Sequence, residues 1–229
     1  MNSQSKAKDA ERLVRVQAGP ATLEGNLTLP EGADGIVLFA HGSGSSRHSP
    51  RNRYVAQLLN EAKLATLLVD LLTADEEAID LRTARLRFDI GLLAERLVAV
   101  TDRLTQQPET RRLRIGYFGA STGAAAALVA AAERPEAVGA VVSRGGRPDL
   151  AGPALACVRA PTLLIVGGND SQVIALNRAA LAELRCEKQL VIVPGATHLF
   201  EEPGALDVVA RLAREWFERH LKQTRTASA

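Results

Sequence analysis

The stretch that most constrains the fold is 113–128, LRIGYFGASTGAAAAL. Leu113, Ile115, Tyr117 and Phe118 form a short apolar run ended by Gly119, and the alanine-rich segment from Ala124 has high helix propensity. A strand is therefore expected to meet a helix here. Between them stands Gly119-Ala120-Ser121-Thr122-Gly123, a G-x-S-x-G match in the strand-to-helix context that a nucleophile elbow requires. A turn this sharp puts its central residue in a strained backbone conformation. It also brings strand and helix so close that side chains two positions either side would collide, which accounts for the glycines. The Ser121 hydroxyl is then pushed out of the turn. The competing reading is a phosphate-cradling turn, which calls for G-x-G-x-x-G and an acidic residue ending the next strand. The spacing from Gly116 is instead G-x-x-G-x-x-x-G, and no acid ends the next run, 137–143.

The remainder of the chain alternates strand-like and helical segments. Leu13, Val14 and Val16, then Leu23, Leu27 and Leu29, flank Gly19-Pro20 and predict an antiparallel hairpin. The run 35–40, GIVLFA, has the continuous apolar character of a strand buried on both faces. Ser49 and Pro50 supply a cap and a first-turn proline for a helix over 51–62, and 65–72 is a further apolar run. The segment 71–82 is acidic and reads as irregular, followed by one long amphipathic helix over 83–104. Strands are expected at 138–142, 162–166 and 190–193, with helices at 173–184 and 206–221. This alternation predicts an α/β domain, a mostly parallel sheet covered on both faces. In such sheets reactive residues collect at the carboxyl ends of the strands, where the loops bearing His41, Ser121, Asp149, Asp170 and His198 begin. One domain over 11–222 is expected, with a disordered segment 1–10 and a tail 223–229.

Composition excludes several classes. With 28 basic and 26 acidic residues the net charge is +2, which leaves no dedicated basic face, so nucleic acid is not an expected partner. The first residues, MNSQSKAKDAERL, lack the apolar core of a signal peptide, and no run approaches the ~18 residues that span a membrane. A cytoplasmic location with no membrane partner is expected. Cys157 and Cys186 form no disulfide framework and stand in no metal-ligand spacing, so they read as buried, inert thiols, and no metal is expected.

Activation of a serine hydroxyl needs a base, and the base needs an acid to fix its tautomer. Of four histidines, His198 follows the last strand; His220, among Glu218, Arg219 and Lys222, reads as solvated. His48 lies in a polar segment, and His41 opens the loop HGSGSS, with a structural role preferred over substrate binding. Asp170, after the strand preceding that of His198, is the preferred acid; Asp149 is the runner-up, and Glu201 and Glu202 read as a solvated helix start. Acyl transfer also needs two donors for the developing oxyanion, here assigned to the backbone N–H groups of Ser43 and Thr122. Arg144 and Arg147, on the loop after the sixth strand, are candidate substrate-binding residues for an acidic ester, as are Arg47 and Arg51. Surface arginine is the plainer reading of all four.

The set HGSGSS, GASTG, GGND and GATH, in this order and among these strands, resembles the α/β-hydrolase superfamily, and within it the small, lidless, dienelactone-hydrolase-like group. The resemblance covers about 13–221. It implies the α/β-hydrolase fold, an eight-stranded, mostly parallel sheet, with Ser121 as nucleophile, His198 as base and Asp170 as acid. It also implies a serine hydrolase acting on a carboxylic ester or lactone. No cofactor is needed for that chemistry. The interval 142–162 is too short for a sizeable helical lid. Dienelactone hydrolases proper carry cysteine where this chain has Ser121, and an acidic residue where it has His41-Gly42, so the fold carries over and the lactone substrate does not. The state of assembly, monomer or homodimer, is left open, since Trp216 and Phe217 of the last helix suit a core or an interface equally.

Overall fold

The computed structural model describes residues 11–222, so the segments 1–10 and 223–229 lie outside the described residues. Among the described residues the chain builds one eight-stranded sheet in the order β1-β2-β4-β3-β5-β6-β7-β8. The strands are β1 (Arg12–Ala18), β2 (Ala21–Thr28), β3 (Gly35–Ala40), β4 (Leu64–Val69), β5 (Arg114–Ala120), β6 (Val138–Arg144), β7 (Thr162–Gly167) and β8 (Lys188–Val193). The β1–β2 hairpin and the β2–β4 pairing are antiparallel, and every other pairing is parallel. β3, β4 and β7 are buried at every position, as continuous apolar runs covered on both faces must be. β8 forms the far edge, with β7 as its sole strand neighbour in the sheet.

Among the described residues six helices follow in chain order: α1 (Pro50–Glu61), α2 (Ala74–Thr83), α3 (Ile90–Gln106), α4 (Thr122–Glu133), α5 (Ser171–Glu183) and α6 (Ala205–Leu221). On one face, α1 and α6 bury Val55, Leu59, Val209 and Phe217 against Phe39, Phe118 and Val142. On the other, α3, α4 and α5 bury Leu97, Ala126, Leu128 and Ala180 against Leu38, Tyr117 and Val141. Trp216 and Phe217 are core residues, 6% and 0% exposed, and the Trp216 indole N–H donates to the Pro161 carbonyl at 3.2 Å. A 3₁₀ segment, Pro148–Cys157, fills the interval between β6 and β7, so no lid domain rises over the strand ends.

Several sequence expectations need correction. The segment 71–82 contains the regular helix α2, started by a capping box: the Thr73 hydroxyl accepts from the Glu76 N–H at 3.2 Å while Glu76 accepts from the Thr73 N–H at 2.8 Å. Its acidic first turn, Asp75, Glu76 and Glu77, suits the positive end of the helix dipole. The expected long helix over 83–104 is interrupted. A short 3₁₀ turn, Leu86–Phe88, comes first, and Asp89 then caps α3 by accepting from the Leu92 N–H at 3.0 Å. Cys157 is exposed rather than buried, and Cys186 is half-buried. His220 is not solvated: its side chain is 11% exposed, its ring lies 4.6 Å from that of Trp216, and burial lowers its pKa.

Candidate active site

The site grows from the end of β5. Ser121 has φ 50° and ψ −121°, a conformation that side-chain-bearing residues rarely adopt, and it heads α4 directly. Hydrogen bonds hold it there. Its N–H donates to the Arg144 carbonyl at 3.3 Å, and its own carbonyl accepts from Ala124 at 3.1 Å and from Arg147 at 3.0 Å. The flanking glycines are required by space. A Cβ on Gly119 would stand 2.4 Å from the Ala124 Cα, and one on Gly123 would stand 2.3 Å from the Ala40 carbonyl oxygen. Strand, turn and helix are thus in backbone contact on both sides of the serine.

The loop after β3 closes over this turn. A Cβ on Gly42 would meet the Ser121 Cβ at 3.0 Å, and the hydroxyls of Ser43 and Thr122 lie 3.1 Å apart. Among the described residues the backbone N–H groups of Ser43 and Thr122 donate to no protein acceptor. His41 anchors the loop from below. Its Nε2 accepts from the Leu71 N–H at 3.0 Å, which leaves Nδ1 to donate to the Gly42 carbonyl at 3.0 Å. Burial lowers the His41 pKa, so the ring is neutral and both its nitrogens are spent on backbone. His41 ties the ends of β3 and β4 together, and it also lines the cleft beside Ser43 and Thr122.

Asp170 ends the turn after β7, and His198 stands in the loop after β8. Their side chains meet, with His198 Nδ1 at 2.7 Å from Asp170 Oδ2. The two loops are stitched together by backbone: Asn169 N–H donates to the Ala196 carbonyl at 2.9 Å, and its side-chain amide donates to the Gly195 carbonyl at 2.9 Å. The His198 loop also rests on Gly145, where a Cβ would stand 3.0 Å from the His198 carbonyl oxygen and 3.5 Å from its Nδ1. Gly145 belongs to the segment 144–147 that hydrogen-bonds Ser121, so one turn touches both the serine and the histidine. Thr197 donates to the Glu202 carboxylate, which holds that group below the usual carboxylate range and ties the loop on its other side.

The remaining candidates are placed differently from expectation. Asp149 is engaged by Arg147, whose Nε and Nη2 reach its two oxygens at 2.9 and 2.8 Å. That fork occupies both the runner-up acid and one of the two arginines proposed for substrate. Arg47 is bonded to Asp70, Glu24 and Asn26 and so serves as a loop clamp. Arg144 is the last residue of β6, not a loop residue, and is 7% exposed. Glu201 pairs with Arg51 at 3.2 Å instead of opening a helix, and α6 starts only at Ala205.

A shallow cleft runs from Ser43 and Thr122 toward α2, walled by Leu72, Leu81 and Leu93, with Arg87 at its side. Sequence reasoning missed Leu81 because it read 71–82 as irregular, and missed Arg87 because it placed it inside one long helix over 83–104. The Thr73-x-x-Glu76 capping signature would have placed Leu81 on an ordered wall. Among the described residues no group of three His, Cys, Asp or Glu side chains is placed to hold a metal ion, and no helix is long and apolar enough to cross a membrane.

Residues 35–227 match the Dienelactone hydrolase family. The chain belongs to that family. Among solved structures, a dienelactone hydrolase from Anabaena variabilis is 67% identical and superposes with a TM-score of 0.92 over 94% of this chain and all of its own. Est1E from Butyrivibrio proteoclasticus, at 16% identity and a TM-score of 0.74 over 90% of this chain and 98% of its own, shares the fold. A Mycobacterium tuberculosis protein named as a phosphoribosyl transferase is 62% identical over 208 residues, which are 91% of this chain and 46% of that protein. The chain spans about half the length of the curated relatives it matches. This dienelactone hydrolase family member has the α/β-hydrolase fold, without a large lid.

Proposed function

We propose that the chain is a serine hydrolase of small carboxylic esters or lactones, working through an acyl-enzyme on Ser121. The observation that carries this reading is a single turn, 144–147, that touches both the strained Ser121 and His198, whose Nδ1 lies 2.7 Å from a carboxylate. An Asp170 carboxylate accepting the Nδ1–H fixes the His198 tautomer with Nε2 unprotonated, free to take the Ser121 proton as Oγ attacks the acyl carbon. The tetrahedral intermediate places its oxyanion against the N–H groups of Ser43 and Thr122. Loss of one such donor costs about 3 kcal/mol of transition-state stabilisation. The imidazolium then protonates the departing alcohol, and a water activated by the same histidine releases the acid. The apolar cleft beside the donors suits an acyl or alkoxy group of modest size, and its exposed wall, with Leu81 71% exposed, suits substrates that enter without a lid opening. The large N–H-lined turn and the triad geometry serve hydrolysis and transfer to another acceptor alike, so water as acceptor is part of the proposal.

The test is hydrolysis of p-nitrophenyl esters from acetate to decanoate by the protein and by Ser121→Ala. Activity that falls by at least about 10⁴-fold in the variant supports the serine mechanism. Undiminished activity in Ser121→Ala, or failure of a fluorophosphonate probe to label Ser121 in the folded protein, overturns it.

A further inference from the structure

Arg144 presents a problem that the hydrolytic reading leaves untouched. The residue is 7% exposed, and among the described residues its buried Nε and Nη1 have no hydrogen-bond partner. Its one contact is Nη2 to the Asn52 side-chain oxygen at 3.5 Å, at the outer limit of a hydrogen bond. Among the described residues no carboxylate pairs with it, since Glu201 is engaged by Arg51 and Asp149 by Arg147. Burial, and with it the charge of Arg51, the residue before Asn52, pushes the Arg144 pKa down to about 10. Arg51 has its own buried and unpartnered Nε, while its Nη1 reaches Glu201 at 3.2 Å.

A buried, unpaired guanidinium is among the costlier features a fold can carry, and a second cation beside it raises the cost. Such an arrangement is stable when an anion with several acceptor oxygens completes it. Arginine's planar fork is suited to that role, presenting paired donors to a carboxylate or phosphate edge.

We propose that Arg144 and Arg51, with the Asn52 side chain between them, form a binding site for a small oxyanion of the phosphate or carboxylate class, beside the loop that carries His198. The site is separate from the cleft at Ser43 and Thr122, because the Arg144 side chain lies on the α1 and α6 face of the sheet, while that cleft lies toward α2. It is nonetheless coupled to the reactive serine. The Arg144 carbonyl accepts the Ser121 N–H, and Glu201, the partner of Arg51, is three residues beyond His198. An anion that draws the two guanidinium groups together therefore fixes both the serine turn and the histidine loop. The burial of Arg144 limits the bound part to a single anionic group, either a free inorganic anion or the acidic end of a substrate.

The experiment is thermal unfolding in phosphate, sulfate or acetate against chloride at constant ionic strength, on the parent protein, Arg144→Met and Arg51→Met. A saturable rise in Tm of several degrees in the parent, absent from both variants, is expected; Arg51→Met, at a side chain 31% exposed, carries the comparison if Arg144→Met does not fold. No saturable rise in the parent, or an equal rise in the folded variants, overturns the proposal. This binding test is independent of the ester reading. A kinetic arm, which rests on that reading, separates the two sources of the anion. If the site takes the substrate's acidic group, phosphate raises KM for p-nitrophenyl hemisuccinate and not for the butyrate ester, and Arg51→Met raises the hemisuccinate KM about tenfold. If it takes a free anion, phosphate raises neither KM.

Discussion

Ser121 holds a backbone conformation that a serine resists, and the size of that resistance can be measured by removing its cause. At φ 50° and ψ −121° the Cβ crowds the backbone, and residues held in such regions cost on the order of 1–3 kcal/mol each. Ser121→Ala keeps the Cβ and the strain. Ser121→Gly removes both, at the expense of a looser unfolded chain, which takes back roughly 0.5–1 kcal/mol. The hydroxyl is lost in both variants, so its contribution cancels in the comparison. The glycine variant is therefore expected to be more stable than the alanine variant by about 1 kcal/mol, within a span of roughly 0–2.5. For a domain of this size that difference raises Tm by about 2–4 °C. Urea unfolding followed by circular dichroism gives the free energy directly, and neither variant is expected to hydrolyse esters. If Ser121→Gly proved equal to or less stable than Ser121→Ala, the turn would not be storing strain, and the account of why glycines and hydrogen bonds surround Ser121 would fail.

Two further outcomes follow from the same geometry. The lowered pKa of buried His41 means that below pH 6.5 the unfolded chain takes up a proton that the folded chain does not. Stability then falls as pH drops from 6.5 toward the folded-state pKa, by up to about 1.4 kcal/mol per pH unit, and urea midpoints measured across pH 5 to 7 should show a slope that His41→Gln reduces. Asp170→Asn, which leaves the side-chain volume unchanged, is expected to lower kcat by roughly 10⁴-fold with little change in the urea midpoint; a loss under tenfold would remove Asp170 from the mechanism.

What could be read in the sequence divides along physical lines. Local rules that need few partners came through: the hairpin at Gly19-Pro20, the Ser49 cap, the buried run of β3 and the strand-turn-helix at Ser121. So did the meeting of Asp170 with His198, because both loops start where parallel strands end. Failures came where a side chain's fate depends on what covers it. The acidic content of 71–82 concealed a capping box, and the periodicity of 83–104 ran across the Asp89 cap without registering the break. Arg144 read as a loop arginine because β6 extends two residues further than its apolar run, over Ser143 and Arg144. His41 could be placed on the loop, but its fixation by the Leu71 N–H depends on a contact 30 residues away. His220 looked solvated from its charged neighbours, although Trp216, one helical turn earlier, covers its ring.

The position of β8 at the sheet edge gives the site an uneven footing. Ser121 and the N–H groups of Ser43 and Thr122 stand at the ends of β5 and β3, strands flanked on both sides. His198 follows β8, which has one strand neighbour, β7, and is exposed at Lys188 and Gln189. Native-state opening spreads inward from weakly held margins, and a peripheral strand detaches for far less free energy than the sheet's centre. The half of the site that holds Ser121 thus shares the durability of the whole fold, while the half that holds His198 shares that of its outermost strand. The proposed activity is accordingly expected to fail under heat or denaturant at the β7–β8 seam and the Asn169 bonds that brace it, before the whole fold opens.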